Sequence, residues 1–233
     1  MGDDEGVRAA SNRRRFIQNV VSGAVIGVAA QGGIGLTSQS LYAQTNLSPE
    51  GAVQELLAGN QRFAANQLTS IERDLNILKQ HTVDKQEPFA AVLSCADSRV
   101  PVELVFDQTI GQLFVTRVAG NIVTPEIVAS LEYGVAVLGI KALLVLGHTS
   151  CGAVKAAMKT DTVPGQISSL YQHLRPAVEQ SGGDIDKAIP ANARYQAQLL
   201  RTSSTVIRDA MKAGNLKVEA GVYELATGRV TLV

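Results

Sequence analysis

Apolar residues along this chain fall into short unbroken runs and longer segments with helical spacing. Three predominantly apolar runs cover residues 89–94, 113–118 and 142–147. Runs of this length are typical of strands that are buried on both faces of a sheet. Helix signals occupy the segments between them, so strands and helices alternate along the chain. This order predicts an α/β protein with a mostly parallel β-sheet flanked by helices.

Helix signals stand before the first run and after the second and third. Ser48 and Thr124 each precede a proline, which is the usual composition of a helix start. We therefore expect an amphipathic helix in the segment 48–67 and another in 124–137. A third helix is expected over 151–158, directly after the third apolar run.

The remainder of the chain predicts further helices and a hairpin. Helical spacing recurs over residues 166–180 and 191–213, with a break at Gly182 and Gly183. The last residues, 217–233, read as two short strands around a Thr-Gly turn. Because no repeat or low-complexity tract interrupts this pattern, we expect residues 44–233 to form a single domain.

Both cysteines of the chain and one of its three histidines follow the apolar runs directly. Cys95 comes after the first run, and His148 and Cys151 come after the third. Since ligands of parallel sheets gather beyond the carboxyl ends of the strands, we expect these side chains to converge. Thiolates and imidazole are donors that zinc prefers. Three such donors leave the fourth position of a catalytic zinc site to water or to Asp97.

Two other arrangements of these residues remain open. A closed structural zinc site needs a fourth side chain, but His81 and His173 do not lie in a ligand-like spacing. A structural disulfide between Cys95 and Cys151 is the main alternative, because thiols that reach an oxidising compartment pair readily. A disulfide does not account for His148.

The segment 91–157 resembles the β-class carbonic anhydrases. The most specific elements of the resemblance are CADSR at 95–99 and HTSC at 148–151, with LFVTRVAGNIV at 113–123 between them. The resemblance implies the β-carbonic anhydrase fold, zinc as the cofactor, CO2 and bicarbonate as the reactants, and a homodimer or higher homo-oligomer. In that chemistry a hydroxide formed on the zinc attacks CO2. Two thiolates make zinc less acidic than three histidines do, so a polar neighbour must offset their charge.

The resemblance also implies roles for five residues near the motifs. Asp97 and Arg99 match a dyad that orients the zinc hydroxide, or in a closed form lets Asp97 ligate the zinc. Gln86 matches a glutamine that binds substrate, and Phe114 and Tyr133 match aromatic residues of the pocket lining. Part of that lining is contributed across the dimer interface. Without the neighbouring cysteine, Asp97 would instead be read as a helix cap and Arg99 as a surface charge.

The balance of charged residues argues against nucleic acid as a partner. The chain has 21 basic and 21 acidic residues, so it offers no electrostatic footprint for nucleic acid. His81 is expected in a hydrophilic loop and His173 in a polar helix, and both are interpreted as surface residues. As groups that titrate near neutrality, they are also candidates for proton transfer to solvent.

The one basic cluster predicts export. Residues 12–18, NRRRFIQ, resemble the twin-arginine signal, and a mildly apolar, glycine-rich run follows. We expect residues 1–43 to be a signal peptide that the export machinery recognises and that is removed after Ala43, placing the protein in the periplasm. The alternative is an uncleaved membrane anchor, although the glycines make this run a poor helix in lipid.

Two further functions share the predicted scaffold. An enzyme that hydrolyses CS2 or COS would use the same zinc ligands behind a different access route. An inactive zinc-binding relative is the nonenzymatic alternative. Relatives that lose activity usually lack a zinc ligand or a member of the Asp-Arg dyad. This chain retains all of these residues, namely Cys95, Asp97, Arg99, His148 and Cys151.

Overall fold

Five strands form a single sheet in the computed structural model, which describes residues 45–72, 75–159 and 163–233. They are β1 (Ala90–Ser94), β2 (Leu113–Arg117), β3 (Ala142–His148), β4 (Lys217–Tyr223) and β5 (Val230–Leu232). Their spatial order is β2-β1-β3-β4-β5, with parallel pairing throughout except between β4 and β5. The α/β class, the mostly parallel sheet and the terminal hairpin are therefore confirmed.

Eight α-helices accompany the sheet in the described part of the chain. They are α1 (Pro49–Ala64), α2 (Leu75–Thr82), α3 (Val102–Val105), α4 (Pro125–Ala136), α5 (Gly152–Ala157), α6 (Tyr171–Gln180), α7 (Ile185–Ser203) and α8 (Thr205–Lys212). The expected start of α1 is confirmed, since the Ser48 side chain accepts a hydrogen bond from the Gly51 amide at 3.0 Å. Such a cap stabilises a helix by about 1 kcal/mol.

Alternate residues of the inner strands point to opposite faces of the sheet. Ala90 and Val92 of β1 pack in one apolar cluster with α1. Ala91 and Leu93 pack in a second cluster with α4, α7 and α8. Because both faces are covered, every residue of β1 and β3 is buried. Burying one leucine side chain such as Leu93 contributes roughly 1.5–3 kcal/mol.

The carboxyl ends of β1 and β3 lie side by side. Ser94 of β1 pairs with Leu146 of β3 on one side and with Arg117 of β2 on the other. A third apolar cluster covers this edge of the sheet, and it contains Cys95 and Cys151 together with residues of α5, α6 and α7. The register therefore brings together the two segments that carry the candidate metal ligands.

A buried carboxylate ties α1 to the segment that follows it. Asp107 adopts a left-handed backbone conformation with φ 48° and accepts four hydrogen bonds. Its donors are Arg62 Nε, the amide and hydroxyl of Thr69, and the amide of Ser70. Burial alone raises the pKa of this carboxyl, but the bonds from Arg62 and Ser70 outweigh it and hold the pKa well below its usual range.

The predicted helix over 191–213 was wrong at its start and in its continuity. The structure has α7 beginning at Ile185, with the Asp184 side chain capping it, and α8 as a separate helix capped by Ser204. Pro190 lies inside α7. Proline usually marks a helix boundary because it lacks the amide hydrogen, so the sequence pattern favoured a start just after it.

Two smaller expectations also differ from the structure. The segment that carries His81 was interpreted as a hydrophilic loop, but Leu75–Thr82 is the helix α2. Strand β2 lies at the sheet edge, where four of its residues are half-buried and Arg117 is exposed, so it is not a strand buried on both faces. Edge strands lack a neighbour on one side, and their apolar pattern alone does not reveal this.

The expected signal segment, residues 1–43, lies outside the described residues. Within the described part, none of the helices has the length and apolar character needed to cross a bilayer.

Candidate metal centre

Three buried side chains converge beyond the carboxyl ends of β1 and β3. Cys95 directly follows β1, His148 is the last residue of β3, and Cys151 is the N-cap residue of α5. One donor atom from each of the three lies within 4.8 Å of the other two. Both cysteines carry free thiols. The expected convergence of these residues is therefore confirmed.

The ring of His148 is held in one orientation by the backbone. Its Nδ1 atom lies 3.0 Å from the carbonyl oxygen of Thr149, so this nitrogen carries the hydrogen and donates it. Thr149 is itself fixed, because its amide donates to Tyr223 O at 3.0 Å and its hydroxyl accepts from Leu225 N at 3.0 Å. The second ring nitrogen, Nε2, is left with a free lone pair.

That Nε2 atom is the clearest sign of a metal ligand. It is buried, and among the described residues it has no hydrogen-bond partner. Buried polar atoms are rarely left unpaired, because each costs about 1–3 kcal/mol. A divalent cation between the imidazole of His148 and the two thiols would satisfy it.

The two thiols influence each other's ionisation. The pKa of Cys95 is lowered to about 4, chiefly by a hydrogen bond with Cys151, against the opposing effect of burial. The amide of Gly120 also donates to Cys95 Sγ, at 3.3 Å. The pKa of Cys151 is raised, first by its interaction with Cys95 and then by burial. The backbone amides of Ala153 and Val154, at the start of α5, lower the pKa of Cys151, but by less.

Zinc fits this donor set. Two sulfurs and one imidazole nitrogen are the borderline-soft ligands that zinc prefers, and three protein ligands leave one tetrahedral position for a water or a carboxylate. A bound cation would displace the thiol protons and hold both cysteines as thiolates. Cys95, His148 and Cys151 are therefore the residues of this chain that would hold zinc.

Asp97 and Arg99 form a two-point contact beside the thiols. Arg99 Nε lies 2.9 Å from Asp97 Oδ1, and Arg99 Nη2 lies 2.8 Å from Asp97 Oδ2. The bonds from Arg99 hold the pKa of the Asp97 carboxyl well below its usual range. Asp97 Oδ2 also lies 3.8 Å from His148 Nε2. Asp97 does not cap the following helix, since α3 begins after Pro101 without a side-chain cap.

Arg117 is a residue of this site that the sequence reasoning missed. Its guanidinium donates to the backbone carbonyl of Cys95, at 3.0 Å, and to that of Asp97. Arg117 therefore fixes the backbone turn that carries the side chains of Cys95 and Asp97. The available signal was a charged residue at the end of an otherwise apolar strand, next to the sheet edge that carries the ligands.

Gln86, Phe114 and Tyr133 lie together, but away from the metal ligands of the same chain. Gln86 and Tyr133 line a cavity of about 330 Å³, and the Tyr133 ring lies 6.3 Å from the Phe114 ring, centroid to centroid. Phe114 pairs with Ala91, four residues before Cys95. At about 3.3 Å per residue this is roughly 13 Å along the strand.

His173 lies on α6 at the protein surface, where its ring contacts Gln172. No contact joins this ring to the three candidate ligands in the described part of the structure. The side chain of His81 is not among those that the structure describes.

Comparisons with known proteins agree with this geometry. The profile of the family described as "Carbonic anhydrase" matches residues 90–230. "Carbonic anhydrase" from Mycolicibacterium smegmatis is 35% identical over 199 residues, covering 80% of this chain and 94% of the relative. "Carbonic anhydrase 2" from Mycobacterium tuberculosis is 32% identical over 195 residues, with the same coverage of 80% and 94%.

Solved structures share the fold. A Coccomyxa β-carbonic anhydrase, solved in complex with acetazolamide, superposes with a TM-score of 0.63 at 27% identity, covering 78% of this chain and 86% of that one. A tetrameric β-carbonic anhydrase from Sordaria macrospora superposes with a TM-score of 0.63 at 21% identity, covering 78% and 96%. With the matching profile and the converging Cys-His-Cys donors, these likenesses show that the chain belongs to the β-class carbonic anhydrase family.

Proposed function

We propose that this protein catalyses the reversible hydration of CO2 to bicarbonate and a proton, with zinc held by Cys95, His148 and Cys151. The observation that carries the proposal is the position of the Asp97–Arg99 pair directly beside the three converging donors. Family membership supports the same activity, since the curated relatives named above are carbonic anhydrases.

Zinc held by these three residues would supply an acidified water at near-neutral pH. Asp97 is the residue placed to accept a hydrogen bond from that water, because its Oδ2 atom lies 3.8 Å from the ligand nitrogen of His148. Arg99 keeps Asp97 ionised and fixes its plane through two hydrogen bonds. Asp97 would thereby orient the water oxygen for attack on CO2.

The contact between Asp97 and Arg99 also affects whether the site is open or closed. In the closed form, Asp97 would be the fourth zinc ligand. To reach the metal, the carboxylate has to exchange bonds with Arg99 for a bond to zinc. The charge-assisted pair with Arg99 therefore favours the open form, with the fourth position available to water. Arg99 also donates to the Ser150 carbonyl at 3.4 Å, which helps keep it in place.

The substrate lining is proposed to come from a second copy of the chain. Gln86, Phe114 and Tyr133 cluster on a partly exposed surface, and the Tyr133 side chain is 46% exposed. This cluster is remote from the metal ligands of its own chain, so it would contribute to a site only across an interface. The tetrameric Sordaria relatives support a homodimer or higher homo-oligomer.

Export to the periplasm is proposed from the sequence of residues 1–43. The basic cluster, the mildly apolar run and the small residue at Ala43 together support a signal peptide that is handled by twin-arginine export machinery. Retention of this segment as a membrane anchor is the competing outcome. Transport of the folded, metal-loaded protein would keep its two thiols from oxidation.

The test is stopped-flow CO2 hydration by the purified mature protein, with zinc measured on the same sample across a range from neutral to alkaline pH. About one zinc per chain with rapid turnover is expected. Activity only at alkaline pH would support the closed form. Bound zinc without turnover contradicts the proposal, and assays of the same sample with COS and CS2 would then identify a hydrolase.

A further inference from the structure

A backbone amide in the loop between β2 and α4 reaches the metal centre. The Gly120 nitrogen lies 3.3 Å from Cys95 Sγ and donates a hydrogen bond to it. Gly120 has a φ of 77°, and a Cβ atom there would lie 3.1 Å from Leu174 and 3.3 Å from Ala153. The loop is therefore pressed against α6 and α5, and only glycine fits both the conformation and the space.

The other side of Gly120 is held by a buried amide pair on α7. Asn192 Nδ2 donates to the Gly120 carbonyl at 2.9 Å, and Gln196 Nε2 donates to Asn192 Oδ1 at 3.0 Å. Gln196 Oε1 accepts from the Val123 amide at 2.8 Å, and its Nε2 also donates to the His173 carbonyl at 2.9 Å. The two side chains are 1% and 0% exposed.

These bonds fix which way each amide points. Asn192 Oδ1 accepts from Gln196, so the Nδ2 group of Asn192 has to face the Gly120 carbonyl. The Asn192 side chain thus holds the carbonyl group of Gly120, and the amide of Gly120 in turn holds the sulfur of Cys95. The chain of contacts runs from α7 through the loop to Cys95 without a gap.

We propose that Asn192 and Gln196 are positioning residues of the metal centre, which hold the Gly120 amide against the Cys95 sulfur. The inference rests on the proposed zinc site. A hydrogen bond to a ligating thiolate withdraws charge from the sulfur and fixes its direction, so the metal becomes a stronger Lewis acid. Two thiolates donate much charge, and this amide offsets part of that donation.

Asn192 and Gln196 are buried polar residues on a helix whose other buried residues are mostly apolar. The neighbouring buried residues Ala193, Ala197 and Leu200 are apolar and pack against the sheet. Asn192 and Gln196 are four positions apart and therefore share one face of the helix. Their polar atoms contact the loop of residues 120–123, where they restrain the backbone around Gly120.

The test compares two variants of this pair with a matched control. Asn192→Leu removes the donor to Gly120, and Gln196→Met removes the bonds that orient Asn192 while leaving its donor. The control is Asn60→Leu. Asn60 is 3% exposed on α1 and donates to Gly228 O at 2.8 Å and to Val105 O at 3.1 Å, so it makes the same kind of contact with a different loop.

Two readouts separate positioning from stability. The first is the rate of zinc release to a chelator, and the second is the sulfur-to-metal charge-transfer band of the cobalt-substituted protein. We expect about tenfold faster release and a shifted band for Asn192→Leu, with a smaller effect for Gln196→Met. Asn60→Leu should lower the Tm while leaving release and band unchanged.

The inference would be overturned if both Asn192→Leu and Gln196→Met had the charge-transfer band and the zinc-release rate of the wild type. It would also be overturned if zinc release were accelerated equally in these two variants and in Asn60→Leu. If Asn192→Leu does not fold, Gln196→Met decides by the same readouts. Wild-type protein that shows the cobalt–thiolate band but does not hydrate CO2 contradicts the proposed function alone. Wild-type protein without that band contradicts both.

Discussion

Arg99 contacts both carboxylate oxygens of Asp97, with Nε 2.9 Å from Oδ1 and Nη2 2.8 Å from Oδ2. The bonds from Arg99 are the largest cause of the lowered pKa of Asp97. Asp97 is therefore an anion throughout the pH range in which an enzyme of this kind works, and the role proposed for it depends on its orientation and its charge.

Replacing Asp97 by asparagine keeps its shape but removes the charge that accepts the hydrogen bond. We expect zinc occupancy to be retained and kcat for CO2 hydration to fall by roughly 100-fold or more. Stopped-flow kinetics and zinc analysis of the same sample measure both quantities. Asp209→Asn, at a side chain that is 70% exposed, is the control and should behave as wild type. Near-normal turnover of Asp97→Asn would remove this residue from the mechanism.

Cys95→Ser and His148→Ala each remove one of the three converging donors. We expect zinc to be lost on dialysis and hydration to disappear, because two remaining donors do not hold the ion. Metal analysis and activity measure this. In wild-type protein recovered from the compartment in which it accumulates, alkylation with mass spectrometry should find two free thiols after the metal is removed. A disulfide-linked mass, or full zinc in either variant, would contradict the assignment.

The buried Asp107 carboxylate predicts a specific loss of stability in acid. Its pKa in the folded protein is lowered, so its contribution is present above the unfolded value of about 4 and is lost as the pH falls below it. Asp107→Ala should lower the free energy of unfolding at pH 7 by about 2–3 kcal/mol, because it removes the acceptor of the Thr69 and Ser70 amides and one of the two carboxylate partners of Arg62. Denaturant melts of both proteins at several pH values should show this difference shrinking in acid. A constant difference would show that the charge of Asp107 does not contribute.

A shared site between two chains can be tested by complementation. We expect a Cys95→Ser variant and a Gln86→Ala/Tyr133→Ala variant to be inactive or weakly active alone. If the lining crosses the interface, a mixed dimer contains one site with all wild-type residues. Activity should therefore return after the two proteins are unfolded and refolded together. Light scattering gives the oligomeric state. A monomeric wild type, or mixing without recovery, would contradict the shared site.

Export is tested in the full-length chain. Arg13→Lys with Arg14→Lys keeps the charge of the basic cluster but removes the paired arginines that twin-arginine export requires. We expect the protein to remain in the cytoplasm, whereas an Arg8→Lys variant should be exported normally. Cell fractionation, with carbonic anhydrase activity measured in each fraction, distinguishes retention in the cytoplasm from export. Periplasmic accumulation of the double variant would refute the targeting prediction.

The sequence was sufficient for the elements that carry strong local signals. Apolar runs before Cys95 and His148 predicted β1 and β3, and the rule for parallel sheets then predicted that the two motifs meet. The start of α1 at Ser48 was visible for the same reason, since capping is a local interaction. These features depend on residues close in the sequence or on a general rule of topology.

The features that the sequence did not reveal depend on contacts between distant segments. Arg117 donates to carbonyls some twenty residues earlier, and Asn192 reaches Gly120 across 72 positions of the chain. No spacing rule identifies such partners before the fold is known. The α7 boundary was missed for a local reason, because Pro190 is tolerated near a helix start whose cap is supplied earlier by Asp184.

The anchoring of Thr149 makes the metal centre depend on a segment that lies far from the ligands in the sequence. All three donors lie between residues 95 and 151, yet the backbone that orients His148 is held by Tyr223, the last residue of β4, and by Leu225 in the turn that follows. A truncated product that ends before β4 contains every ligand but lacks the bonds that aim the imidazole. Zinc retention by such products would therefore report whether β4 is present and has paired with β3.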